Sequence, residues 1–296
     1  MCGSYCRLTQ TEVRLAVLNM KRKLLSAALS VTLVSMAGCR AMSGDERIAH
    51  GLREGLMGHS RSITINFESR DDLSDDLADV TADYMEKAMA ESDDPKGGDY
   101  IRYQNGGYTA DFSVSGTGPY SYSIRITPKY YDYLEQEQRT DETVSRLMDE
   151  LDLEDASDLE KMTAVYDYIC SHVTYDRVHA GNGYYYLRST CYSALVRGTA
   201  TCQGYAVAVY RLMKECGIEC RVVTGRAAGE DAPHAWNIVK LGGEFYFLDA
   251  AWDSQREEHD YFLKGMSDLE GHELSEEFMT DEFMKAYPIA ENGIIS

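Results

Sequence analysis

Three residues of the sequence, a cysteine, a histidine and an aspartate, have side chains and surroundings suited to nucleophilic catalysis. Cys202 begins the segment Cys-Gln-Gly-Tyr-Ala, His234 begins His-Ala-Trp-Asn, and Asp249 lies within Leu-Asp-Ala-Ala-Trp-Asp. A thiol can attack a carbonyl carbon, an imidazole can carry the proton, and a carboxylate can orient the imidazole. The three segments therefore indicate acyl-transfer chemistry.

A thiol of ordinary acidity is only a few per cent ionised at neutral pH, so a catalytic cysteine needs help from its surroundings. The apolar residues Val209 and Met213 predict an amphipathic helix that begins near Cys202, and the dipole of that helix would favour the thiolate. An imidazolium at His234 would favour it further and protonate the leaving group. Asp249 would then hold the other ring nitrogen, and the Cys202 amide would bind the oxyanion.

The elements around these residues are predicted to bring them together. Residues 233–239 and 244–253 read as two strands, and the Gly242-Gly243 pair between them suits a hairpin turn. Paired strands would place His234 and Asp249 side by side. Gly204, two residues into the predicted helix, would let the backbone come close to the nucleophile.

These segments resemble the transglutaminase-like superfamily. Segments near Tyr166, Asp176 and Tyr192 are also similar to bacterial members, so the resemblance covers roughly residues 140–265. It implies an α+β fold with a papain-like core, in which a nucleophile helix packs on an antiparallel sheet. It also carries a Cys/His/Asp triad onto the three residues described above. The superfamily includes protein crosslinkers, peptidases and domains that have lost activity.

Three further residues are candidates for the oxyanion site or the substrate groove: Tyr192, Gln203 and Trp236. Tyr192 and Trp236 could equally be packed in the core. Nothing beyond the core matches the calcium-dependent animal enzymes of the superfamily, so we expect no metal ion and no cofactor. Four other histidines show no partner pattern and are interpreted as surface or loop residues: His172, His179, His259 and His272.

Outside the transglutaminase-like domain, expected at residues 140–296, the pattern predicts a small N-terminal α+β unit at 61–135. Residues 62–67, 108–114 and 120–126 alternate between apolar and polar side chains, as half-buried strands do. Their aromatic stripe could bind glycan or peptide, or pack in the core. Thr140 and Ser157 are predicted to cap helices, and residues 40–60 are interpreted as a tether.

The first 39 residues resemble a bacterial lipoprotein signal with its lipobox. A cationic Met-Lys-Arg-Lys segment starting at Met20 precedes an apolar stretch, which ends in Met-Ala-Gly-Cys at Cys39. In such signals this cysteine is lipidated and becomes the mature N-terminus. We therefore expect translation from Met20 and a lipid-anchored protein on the extracytoplasmic face of the membrane. The alternative is an ordinary secretory peptide.

Composition limits the function further. The chain has 296 residues, 44% of them apolar, and a formal charge of −20. This charge excludes non-specific nucleic-acid binding, because phosphates would be repelled. Five cysteines follow Cys39, an odd number that leaves at least one thiol unpaired within the chain.

Two functions from different classes fit these observations. The first is a cell-surface thiol enzyme acting on peptide or carboxamide bonds of a protein or peptide substrate, including cell-wall-associated ones, by hydrolysis or crosslinking. The second is a catalytically silent module of the same fold that binds peptide or cell-wall glycan.

Overall fold

The computed structural model describes residues 44–227, 233–257, 259–269 and 271–294. The leader, including Cys39, lies outside the described residues. The chain divides into two compact units, one comprising residues up to Ala90 with Gly107–Lys129, the other Glu91–Gly106 with Tyr130–Ser296. Helices account for 41% and strands for 25% of the structure, in agreement with the predicted mixed fold.

Within its described residues, the first unit contains two helices and a three-stranded sheet in the order β1-β3-β2. Its elements are α1 Gly44–Met57, β1 Ile63–Ser69, α2 Leu77–Ala88, β2 Asn105–Ser115 and β3 Tyr120–Tyr130. The interpretation of residues 40–60 as a tether is wrong for 44–57, which form α1. The reason is a stripe of buried residues spaced four apart, Ile48, Leu52 and Leu56, on the side of the helix that packs against α2.

The apolar residues of the alternating segments in the first unit differ in burial from strand to strand. Phe67 of β1 and Tyr122 of β3 are buried and stack with ring centroids 5.1 Å apart. On the outer strand β2, Phe112 and Val114 remain 43% and 41% exposed. The aromatic stripe therefore forms core on β1 and β3, whereas the apolar side chains of β2 are largely left at the surface.

The second unit contains a five-stranded antiparallel sheet in the order β10-β6-β7-β8-β9. Its strands are β4 Thr174–Tyr175, β5 Thr199–Ala200, β6 Cys220–Ala227, β7 Pro233–Leu241, β8 Glu244–Leu248, β9 Phe262–Lys264 and β10 His272–Leu274. Its helices are α3 Asp99–Tyr103, α4 Leu134–Leu151, α5 Asp158–His172, α6 Cys191–Leu195, α7 Cys202–Glu215, α8 Ala250–Asp253 and α9 Asp281–Ala286.

Helix α7 is the centre of this unit. Every residue from Gly204 to Met213 is buried, and the helix packs on β6, β7 and α5. The predicted nucleophile helix on an antiparallel sheet is thus confirmed. The opposite face of the sheet is covered by apolar residues of the C-terminal segment, including Phe278 and Phe283.

Two predicted helix starts have different outcomes. Ser157 begins α5 with a capping box, in which its hydroxyl accepts a hydrogen bond from the amide of Glu160. The prediction for Thr140 is wrong, because α4 begins at Leu134 and Thr140 is buried inside it. The Thr140 hydroxyl donates to the carbonyl of Gln136, four residues earlier, rather than capping a first turn.

Candidate functional site

Cys202 is the first residue of helix α7 and is partly buried. The helix start is held against the preceding loop at Gly204. A Cβ at this position would lie 2.9 Å from the carbonyl oxygen of Arg188 and 3.2 Å from that of Thr190. Glycine is required at this position because these backbone groups already occupy the space of a side chain. The thiol is therefore fixed at the positive end of a buried helix.

His234 lies on β7 and Asp249 directly follows β8, on the neighbouring strand of the sheet. The Nε2 atom of His234 is 2.6 Å from Oδ2 of Asp249. Interaction with the Cys202 thiol is among the causes that raise the pKa of His234, so the thiol lies beside the imidazole. Because Nε2 is engaged by the carboxylate, Nδ1 is the ring nitrogen left for the thiol. The structure thus brings thiol, imidazole and carboxylate together, with the imidazole hydrogen-bonded to the carboxylate and interacting with the thiol.

The carboxylate of Asp249 is further fixed by the short helix that follows it. Its Oδ1 atom accepts a hydrogen bond from the amide of Trp252 at 3.0 Å, so Asp249 is also the N-cap of α8. The side chains of His234 and Asp249 are only 5% and 1% exposed. Water therefore competes little for these hydrogen bonds.

The electrostatics favour a protonated imidazole beside an ionised carboxylate. Burial alone would lower the pKa of His234, but its interactions with Asp249 and Cys202 outweigh burial and raise that pKa to about 10. Burial alone would raise the pKa of Asp249, but hydrogen bonds from His234 and His272 lower it below its ordinary value. The site thus holds a positive charge against a negative one away from solvent.

A second histidine, His272, also contacts the carboxylate of Asp249, and no sequence pattern predicts this contact. His272 was expected at the surface or in a loop, and that interpretation is wrong, because its side chain is 0% exposed. Its Nε2 atom lies 2.9 Å from Oδ2 of Asp249. No local pattern indicated this contact, because the two residues are 23 positions apart and meet only after β10 pairs with β6. By contrast, His172 and His259 are exposed.

Aromatic rings surround the two histidines. The ring of Trp236 stacks on His234 at 5.6 Å between centroids, since residues two apart on a strand share a face. Trp252 and Tyr261 contact the ring of His272 at 4.7 and 5.1 Å. These apolar surroundings exclude water and limit the rotation of both imidazoles.

The three further candidates occupy different places. Trp236 is buried beside His234, within the site. The side chain of Gln203 donates to the carbonyl of Tyr103, at the end of α3. The hydroxyl of Tyr192 accepts a hydrogen bond from Arg139 at 3.0 Å. Of these three, only Trp236 has a described contact with His234 or Asp249.

The five cysteines of the described residues are all free thiols. Burial raises the pKa of each of the other four, which are Cys170, Cys191, Cys216 and Cys220. A buried thiol that resists ionisation is a poor nucleophile. These four thiols are therefore internal references for the reactivity of Cys202.

His234, Asp249 and His272 also offer three potential ligand atoms for a metal, within 4.8 Å of one another. The two Nε2–Oδ2 distances of 2.6 and 2.9 Å are hydrogen-bond distances. Two ligands of one tetrahedral zinc ion, each at its usual bond length, lie roughly 3.3 Å apart. The arrangement therefore fits a hydrogen-bonded cluster better than a metal cage.

Residues 145–250 match the family model of the transglutaminase-like superfamily. This stretch includes Cys202, His234 and Asp249. The chain is 30% identical over 121 residues to the kyphoscoliosis peptidase of Mus musculus. It is 30% identical over 125 residues to that of Homo sapiens.

Each of these two alignments covers 38% of this chain and 18% of the relative, so the chain spans about a fifth of the curated relatives it matches. A solved structure described as that of a TGase aligns with 49% of this chain and 44% of its own. That alignment has a TM-score of 0.36 and 24% sequence identity.

Proposed function

We propose that this protein is a cysteine-dependent acyl-transfer enzyme acting on peptide or carboxamide bonds. The observation that carries the proposal is the grouping of three side chains: His234 is hydrogen-bonded to Asp249 and interacts with the thiol of Cys202, which is the first residue of a buried helix. The family-model match over residues 145–250 supports it, because this superfamily consists largely of cysteine-dependent enzymes.

The reaction would proceed in two steps. In the first, the thiolate of Cys202 forms a bond to the substrate carbonyl carbon, and the amide of Cys202 is the natural donor to the oxyanion. The carbon–nitrogen bond then breaks, and the imidazolium of His234 gives its proton to the departing amine or ammonia. A thioester remains on Cys202.

In the second step water or an amine resolves the thioester. His234, now neutral, accepts the proton of the incoming nucleophile, and the thiolate of Cys202 is the leaving group. Water gives hydrolysis and an amine gives crosslinking, and the same acyl-enzyme serves both. We favour hydrolysis, by a peptidase or amidase, because it needs no second substrate.

We also propose that Cys39 is lipidated and that the enzyme acts at the extracytoplasmic face of the cell membrane on protein or peptide substrates. The support is the signal-like sequence that precedes Cys39. Within the described residues, no helix combines the length and the apolar character needed to cross a membrane.

The test is the pH dependence of iodoacetamide alkylation, followed peptide by peptide with mass spectrometry. We expect Cys202 to react rapidly well below pH 7, because proton transfer to His234 keeps the thiolate available. The other four thiols, whose pKa is raised, should react slowly throughout. His234→Ala should remove the reactivity of Cys202 below pH 7 while the fold is retained.

Reactivity of Cys202 that follows an ordinary thiol, and that is unchanged by His234→Ala, would refute the proposal. The silent binding module would then be the better explanation. If the thiol is activated, screening amine donors against hydrolysis of model amides would distinguish crosslinking from hydrolysis. Cys202→Ala, the control, should abolish both.

A further inference from the structure

We propose that His272 is a positioning residue of this site: its Nε2–H donates a hydrogen bond to Asp249 and holds the carboxylate where His234 needs it. The inference rests on the proposed function and adds a fourth side chain to it. It concerns a residue that lies 22 positions beyond the family-model match, which ends at residue 250.

The first argument is the protonation of the two imidazoles. Oδ2 of Asp249 lies 2.6 Å from Nε2 of His234 and 2.9 Å from Nε2 of His272. An ionised carboxylate can only accept hydrogen bonds, so both nitrogens must carry a proton. For His272 this holds for the Nε2–H tautomer as well as for the imidazolium, so its role as a donor does not depend on its charge.

The second argument is the rigidity of the donor. His272 begins β10, and its backbone is paired with Ala227 at the end of β6. Its ring lies between those of Trp236 and Trp252, with centroids 5.0 and 4.7 Å away, and its side chain is fully buried. The strand sets the position of the ring and the aromatic neighbours set its plane, so the donor is preorganised.

The third argument is what the carboxylate would lose. Trp252 is the partner of Oδ1, while His234 and His272 share Oδ2. A buried acceptor that loses a partner is not rescued by solvent. Without His272, the carboxylate would be freer to turn away from His234, and its hydrogen bond to the imidazolium would be less well aligned. His272 would thus act on Cys202 through Asp249 and His234.

The test compares two substitutions of His272. His272→Phe keeps a planar ring among the aromatic neighbours but has no donor, whereas His272→Gln supplies an amide N–H in place of the imidazole. We expect His272→Phe to lower the rate of Cys202 alkylation at pH 6 about tenfold, as expected for a lost hydrogen bond to an ionised group. At pH 9, where the thiolate forms without help, the rate should match the original protein. His272→Gln should restore most of the rate at pH 6.

The control is His259→Phe, which makes the same change at a surface histidine whose Nδ1 is 3.3 Å from Asp167. This variant should react like the original protein at both pH values. Thermal unfolding of each variant shows whether the fold is kept.

The outcomes separate the two proposals. If the original protein shows no His234-dependent reactivity at low pH, the proposed function fails. If it shows that reactivity and His272→Phe leaves it unchanged or raises it, only the role of His272 is overturned. An equal loss at pH 6 and pH 9 that His272→Gln does not restore would indicate a purely structural role and would also overturn the inference.

If His272→Phe does not fold, nitrogen-15 NMR of the original protein tests the inference instead, because it shows whether Nε2 of His272 carries a proton. The Nε2 atom of His272 should carry a proton throughout pH 5 to 9. A deprotonated Nε2 would overturn the inference, because it could not donate to Asp249.

Discussion

At the residue scale, the site is a small number of polar groups held in apolar surroundings. Asp249 receives hydrogen bonds from two imidazoles and one backbone amide, and the imidazole of His234 connects it to Cys202. In such surroundings hydrogen bonds and charges act with little screening. Proton affinities are therefore the property most sensitive to single substitutions here.

The protonation of His234 gives a prediction at this scale. Its pKa is raised to about 10 by Asp249 and Cys202, so the ring should remain an imidazolium at pH 8. The raised pKa of His234 also makes stability depend on pH. Considered alone, its proton contributes its full stabilisation of the folded chain below the ordinary histidine pKa of about 6.5. That contribution is lost as the pH rises towards about 10.

Nitrogen-15 NMR titration of His234 measures this directly. Asp249→Asn should lower the pKa of His234, because the amide carries no charge to attract the proton. A neutral His234 at pH 8 in the original protein would contradict the prediction and would mean that burial outweighs the interactions with Asp249 and Cys202.

At the element scale, the geometry depends on how α7 is fixed to the sheet. Asn237 of β7 is fully buried, and its Nδ2 donates to the carbonyl of Ala206 in α7 at 2.9 Å and to that of Arg221 in β6 at 3.3 Å. The sequence patterns predict α7 and β7. The contact of Asn237 with α7 forms only when the helix packs on the sheet.

Asn237→Leu should therefore lower the free energy of unfolding by about 1–3 kcal/mol, the cost of losing the two buried hydrogen bonds to these carbonyls. Chemical denaturation with circular dichroism measures it. Asn66→Leu, at an exposed position of β1, is the matched control and should change stability little. Equal effects of the two substitutions would show that the hydrogen bonds of Asn237 do not matter for stability.

At the scale of the whole molecule, the chain combines two compact units with a signal-like leader and a net charge of −20. The first unit carries no residue of the proposed site. The proposed lipid anchor would set where the second unit meets its substrates. Under this proposal, attachment to the membrane would depend on a single cysteine, Cys39.

Cys39→Ser should move the protein from the membrane fraction to the soluble fraction and abolish labelling by an alkyne analogue of palmitate in growing cells. Cys6→Ser, the matched control, should change neither result, since translation is expected to start at Met20. Membrane attachment and lipid labelling that persist in Cys39→Ser would contradict the lipoprotein assignment.

Much of this protein is determined by short-range sequence patterns. The spacing of apolar residues predicts α7 and its start at Cys202, and the Gly242-Gly243 turn predicts the hairpin that carries His234 and Asp249. Such patterns can be read because helix and strand periodicity and turn chemistry depend on near neighbours. The same local reasoning was wrong at Thr140, whose hydroxyl bonds within a helix that had already begun at Leu134.

The tertiary structure alone decided which distant residues complete the site. His272 lies in a segment without a distinctive pattern, and only the pairing of β10 with β6 brings it to Asp249. Gly204 likewise owes its role to the carbonyls of Arg188 and Thr190, which approach it from the preceding loop. Contacts of this kind arise when elements pack, and packing depends on shape and burial over the whole domain rather than on spacing along the chain.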